Sequence, residues 1–136
     1  MPQARPPLPY VVLAGERPGG NALARALGIP AGVLADVAGE TALSRVLGVL
    51  RASPGLRGGL LCGPVADVVS ASGEVQRLLA PGDVRGIAPA SGPAARAVAA
   101  LDAVGACPVL LTTGDHALLT VAAVERFCEQ PALDFV

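Results

Sequence analysis

An α/β fold, with a mostly parallel sheet flanked by helices, is the architecture this chain predicts. Three observations carry it. Short apolar runs alternate with segments of helical period, the pattern of repeated βα units. The composition is 52% apolar, 15% charged and only 2% aromatic, so the core must be built from Ala, Val and Leu. Such residues suit parallel strands covered on both faces, which read as continuous apolar runs. Third, the first apolar run, Tyr10-Val11-Val12-Leu13-Ala14, breaks into a loop holding Gly15, Arg17, Gly19 and Gly20. Glycine lets bare backbone N–H groups approach a ligand, and a guanidinium is a fork suited to phosphate. A strand feeding such a loop is the usual opening of an α/β nucleotide-binding domain.

The elements follow in order. Residues 1–9 are a proline-rich flexible lead, and 10–136 form one domain. Tyr10–Ala14 is the first strand. Asn21 opens a short helix over Ala22–Leu27, ended by Gly28 and Pro30. Val33–Val37 is a brief extended piece closed by Gly39. Thr41 caps the first long helix, whose Leu43, Val46, Leu47 and Leu50 recur at helical spacing before Pro54-Gly55 ends it. Gly59–Cys62 is the second strand. Ser72 caps a helix through Leu79, stopped by Pro81-Gly82. Val84–Ala88 is a third strand. Ser91 opens a helix with Pro93 in its first turn and Ala94, Val98, Leu101 and Val104 on one face. Pro108–Thr113 is the fourth strand, the most apolar and expected to be buried. Thr120 caps a last helix carrying Val121, Val124 and Phe127. Leu133–Val136 reads as the start of another strand, so the domain is expected to be incomplete at its C-terminal end.

Several function classes drop out. The net charge is −1, lysine is absent, and the arginines are scattered and not striped, so no nucleic-acid footprint is present. No uncharged apolar stretch approaches the ~18 residues of a membrane span, and the first apolar run is too short for a signal peptide. A cytoplasmic protein with no membrane partner is expected. Cys62, Cys107 and Cys128 have no CxxC spacing and read as reduced core residues. No GxxxxGK[ST] pattern occurs, which excludes a P-loop.

The second chemical element is Val109-Leu110-Leu111-Thr112-Thr113-Gly114-Asp115-His116. A strand delivers Asp115 at its carboxyl end, the edge where ligands of open α/β sheets collect. A lone carboxylate there suits Mg2+, which keeps water and phosphate oxygens as its other ligands. The alternative is that Asp115 caps a turn with Gly114. His116, the only histidine, reads as a turn residue or as a catalytic or metal-binding one. Asp36 lies where a dinucleotide fold places its ribose ligand. Arg17, however, occupies the position where that fingerprint needs glycine, so Asp36 reads as a solvated loop residue.

In order and spacing, four segments resemble the MobA-like NTP transferases, nucleotidyltransferases with a Rossmann-like GT-A fold. They are Leu13-Ala14-Gly15-Glu16-Arg17-Pro18-Gly19-Gly20, Val37-Ala38-Gly39 with its following helix, Ser91-Gly92-Pro93, and Thr113-Gly114-Asp115-His116-Ala117-Leu118-Leu119-Thr120. The resemblance covers nearly the whole chain and matches the N-terminal nucleotide-binding portion of the fold. It implies that backbone at Leu13, Ala14 and Gly15 holds the base. Gly19, Gly20 and Arg17 would cradle the triphosphate, with Ser91 and Gly92 forming a second base- or ribose-contacting turn. Asp115 would hold Mg2+ at the α-phosphate, so that Arg17 and Asp115 carry the catalysis. The partners implied are a nucleoside triphosphate and a small-molecule acceptor. Three departures stand beside the likeness. The family's usual lysine position falls on Gly32, Arg96 lies near where a second small hydroxyl residue is usual, and family members continue well past this length. An enzyme, a degenerate nucleotide-binding or regulatory module that works as an oligomer, and a piece needing a completing chain therefore all remain readings of this sequence.

Overall fold

The computed structural model describes residues 7–14, 22–29, 31–63, 72–87 and 109–129. The sequence-based expectations for Gly15–Gly20, the helix opened by Ser91, Cys107 and Leu133–Val136 lie outside these residues. Six strands and four helices occur among the described residues. They are β1 (Tyr10–Leu13), α1 (Ala22–Leu27), β2 (Asp36–Val37), β3 (Glu40–Thr41), α2 (Ala42–Ala52), β4 (Gly59–Cys62), α3 (Gly73–Leu79), β5 (Val84–Ile87), β6 (Leu110–Thr113) and α4 (Val121–Glu129). No helix among them is long and apolar enough to cross a membrane.

The main sheet has the order β5-β4-β1-β6, with all three neighbouring pairs parallel. The α/β reading is therefore correct. Residues alternate across β1 as a strand requires. Tyr10 and Val12 join one buried cluster with Leu43, Val46, Leu47 and Leu50 of α2, Val75 of α3 and Val124 of α4. Val11 packs with Leu60 and half-buried Leu13 and Ile87 in a second cluster. The apolar spacing of α2 is what aims its four aliphatics at the first cluster.

Local polar bonds fix these helices on the sheet. The Thr41 hydroxyl accepts from the Ser44 N–H at 3.2 Å, capping α2, and donates to Glu74 Oε1 at 2.7 Å, tying α3 to the same point. Ser72 caps α3 through Val75 N–H, and Thr120 caps α4 through Ala123 N–H. At the far end of α2, Arg51 grips Asp83 with two parallel bonds of 2.9 Å, and Arg51 Nη2 also donates to the Leu78 carbonyl. Arg51 holds the Asp83 carboxyl below its ordinary pKa.

The structure differs from expectation in three places. Residues 33–37 are not one extended piece: a 3-10 turn spans Gly32–Leu34 and a hairpin, β2–β3, follows. Ala38 at φ 54° and Gly39 at φ 93° make its two-residue turn, which matches the right-handed twist of paired strands. The Asp36 carboxylate accepts from Gly39 N–H, and Arg45 donates to the carbonyls of Val37 and Ala38. Next, β6 is not a buried strand: Leu111 is 44% exposed, because β6 lies at the sheet edge among the described residues. On α4, finally, Phe127 is 63% exposed while Cys128 packs on the core.

Tyr10 is 1% exposed and its hydroxyl has no hydrogen-bond partner among the described residues. Burial and then the Asp83 charge push its phenol pKa up, with Arg51 opposing. An unpaired buried hydroxyl is unfavourable by about 1–3 kcal/mol. Tyr10→Phe keeps the ring and removes the orphan, so it is expected to raise stability by about 1 kcal/mol in urea titration. A loss of more than that would mean the hydroxyl is paired.

Candidate active site

In an open parallel sheet the ligand crevice forms outside the carboxyl ends of two neighbouring strands whose connections run in opposite directions. From β1 the chain moves to β4 and β5 on one side, then returns to place β6 on the other. The crossing point therefore lies between β1 and β6. Leu13 pairs with Thr113 at the carboxyl ends of these strands, and Gly114 N–H donates to the Leu13 carbonyl at 2.9 Å. Ala14 and Gly114 thus stand side by side where the two strands end.

Asp115 follows at once. It is exposed, and among the described residues its carboxylate takes no hydrogen bond. The turn around it is held by backbone alone: His116 N–H to the Thr113 carbonyl, Ala117 N–H to the Asp115 carbonyl and Leu119 N–H to the His116 carbonyl. The capping role considered for Asp115 therefore has no bond to support it, and its oxygens face solvent at the switch point. His116 is an exposed residue of the same turn.

Leu13 and Ala14 sit at the rim, but much of their backbone is already used. The Ala14 N–H donates to the Cys62 carbonyl at 2.8 Å, and the Leu13 carbonyl accepts from Gly114. Gly15, Arg17, Gly19 and Gly20, with Ser91 and Gly92, lie outside the described residues, so of the predicted site residues the structure brings together Leu13, Ala14 and Asp115.

Sequence reading missed the layer beneath this edge. A Cβ on Gly114 would stand 3.1 Å from Val33 Cγ1, 3.2 Å from Ala14 Cβ and 3.4 Å from Leu43 Cδ1. The 3-10 turn, β1 and the start of α2 thus converge under the Asp115 turn, and a methyl group there would press on all three. Gly32, at the family's lysine position, is Val33's neighbour in that turn and is buried. No signal in the sequence marked Gly114 as a packing residue. Gly114→Ala is expected to cost about 1–3 kcal/mol through overpacking. Chemical denaturation of the pure variant measures it, and an unchanged midpoint would show the layer to be loose.

Among the described residues, no three His, Cys, Asp or Glu side chains cluster as a metal cage. A cavity of about 410 Å³ does open on the protein, but it is lined by Pro9, Gly59 and Asp83, at the opposite, amino edge of the sheet. It is not the switch-point crevice.

Comparison with known proteins finds a match among solved structures. A nucleotidyl transferase from Methanothermobacter superposes with a TM-score of 0.65 over 90% of this chain, at 20% identity. The chain has that α/β fold. It spans 56% of the length of that neighbour. No family model matches the chain, and no curated protein matches its sequence.

Proposed function

We propose that this chain is a MobA-like nucleotidyltransferase domain. It binds a nucleoside triphosphate with Mg2+ at the carboxyl edge between β1 and β6 and transfers the nucleotidyl group to a phosphate or hydroxyl acceptor. The observation that supports the reading is the pairing of Leu13 with Thr113, which sets Ala14, the residue before the glycine-and-arginine segment, at the same edge as the Asp115 turn. The fold shared with a nucleotidyl transferase supports it.

An open carboxylate fits Mg2+, which takes one or two carboxylates and completes its shell with phosphate oxygens and water. Bound there, Mg2+ would neutralise charge at the α-phosphate. Asp115 would hold the ion, and Arg17 with the N–H groups of residues 15–20 would orient the triphosphate. The acceptor oxygen attacks the α-phosphorus in line, a hydroxyl acceptor losing its proton to solvent, the bond from that phosphorus to its β-bridging oxygen breaks, and pyrophosphate leaves with the electron pair. The protein's contribution is positioning and charge neutralisation.

A second reading is nucleotide binding without turnover. It is favoured by the absence of any lysine and by Gly32 at that position. A missing fixed cation lowers such a rate by about 10²–10³. One experiment separates the two: calorimetry with each of the four ribonucleoside triphosphates and Mg2+, followed by pyrophosphate release with phosphorylated and hydroxylated acceptors. Binding with release supports the enzyme, binding alone the module, and no binding removes both.

A further inference from the structure

The amino edge of the sheet carries chemistry that the nucleotide reading does not use. The cavity there has a volume of about 410 Å³, within the range of small-molecule pockets. Arg57 and Arg85 both line it. Both are exposed, and neither guanidinium has an acceptor among the described residues. Gly58 lines it too, and its backbone N–H has no acceptor among those residues. A Cβ at Gly58 would collide with the Asp83 carbonyl oxygen, so this backbone is held hard against the start of β5.

Among the described residues Asp83 is the one acid in the lining, and its carboxylate is already bound by both nitrogens of the Arg51 fork. Asp83 is thus neutralised from outside the cavity, which leaves two arginine forks and one backbone donor at the cavity with no competing acceptor among the described residues. An ordinary surface arginine pairs with a nearby acid or stays solvated singly. Two forks around one concavity, with no acceptor among the described residues, are suited to an oxyanion with several acceptors on one centre.

We propose that this cavity binds the phosphate group of a small molecule, at a site separate from the switch-point crevice. Each strand between the two edges is four residues long, which at about 3.3 Å per residue sets them about 13 Å apart. A ligand at Arg57 and Arg85 therefore does not share a phosphate with Asp115. It acts as an effector, clamping the starts of β4 and β5. The proposal does not rest on the nucleotide reading and survives its failure.

Thermal unfolding of the full chain tests it, with inorganic phosphate as the probe and sodium chloride at matched ionic strength as the control. Phosphate at ten times its dissociation constant is expected to raise the melting temperature by about 5 °C over the control. The double variant Arg57→Gln with Arg85→Gln changes only exposed side chains, and it is expected to lose the rise. The double variant Arg17→Gln with Asp115→Asn is expected to keep it. A rise that persists without Arg57 and Arg85, one that disappears with Arg17 and Asp115, or none beyond sodium chloride would each overturn the proposal.

Discussion

Asp115→Asn is expected to lower pyrophosphate release by about 10²–10³-fold, the usual scale for removing one preorganised group at developing charge. The substitution keeps size and shape and removes only the charge. The turn around Asp115 is held by backbone bonds, and its carboxylate bonds to no described residue, so the fold should not change. Its melting temperature should therefore match that of the parent chain. Nucleotide binding in the absence of Mg2+ should also be little altered, because the triphosphate contacts assigned to residues 15–20 remain. Mg2+ should stop strengthening that binding. The split between the metal-dependent and metal-independent parts is the informative readout. Equal weakening of both would make Asp115 a general contributor to the pocket and not a metal ligand.

Gly59→Ala is the stability counterpart. Gly59 begins β4, and a Cβ there would run into the carbonyl oxygen of Tyr10 and stand 2.9 Å from the Tyr10 ring at Cδ2. The first obstacle is backbone, so no rotamer change relieves it. Gly59 N–H also bonds the Asp83 carbonyl at 3.0 Å, which prevents β4 from shifting freely away. β1 and β4 must part at their amino ends, and Tyr10 and Leu61 of the main cluster part with them. A loss of about 3 kcal/mol is expected, at the upper end of the overpacking range, or about 10 °C in melting temperature. Differential scanning calorimetry measures it. A loss below about 1 kcal/mol would show that the β1–β4 register at Gly59 is wrong.

What the sequence disclosed and what it hid follow a physical divide. Caps are local chemistry. Thr41, Ser72 and Thr120 each bond an N–H three residues on, and all three helix starts were legible for that reason. β4 was legible because glycine bounds a short aliphatic run at Gly59–Cys62. The β2–β3 hairpin was not, because its turn places Ala38 in a left-handed conformation that alanine does not announce. The half-exposed character of β6 was hidden as well. Four apolar or threonine residues look the same in an edge strand as in a central one, and only strand order decides. Phe127 shows the same limit on a helix, since α4 turns Val124 and Cys128 inward in its place.

The site divides the same way. Asp115 was legible as an acid at the end of an apolar run. Its adjacency to β1 came only from the family resemblance, because no local pattern joins segments so far apart in sequence; they meet through the β1–β6 pairing. Nor did any local pattern mark Gly114 as the point where Ala14, Val33 and Leu43 close in. The Arg51–Asp83 pair is likewise long-range, and it leaves the nearby Arg57 and Arg85 without an acid partner among the described residues at the other edge.

One titration reaches the centre of the account. Mn2+ replaces Mg2+ beside a saturating nucleoside triphosphate, and paramagnetic broadening of backbone amide signals reports which residues surround the ion. Selective loss of signals from residues 14–20 together with 113–117 is the predicted outcome. Broadening confined to either segment alone, or centred on residues far from the β1–β6 carboxyl edge, would contradict a shared crevice.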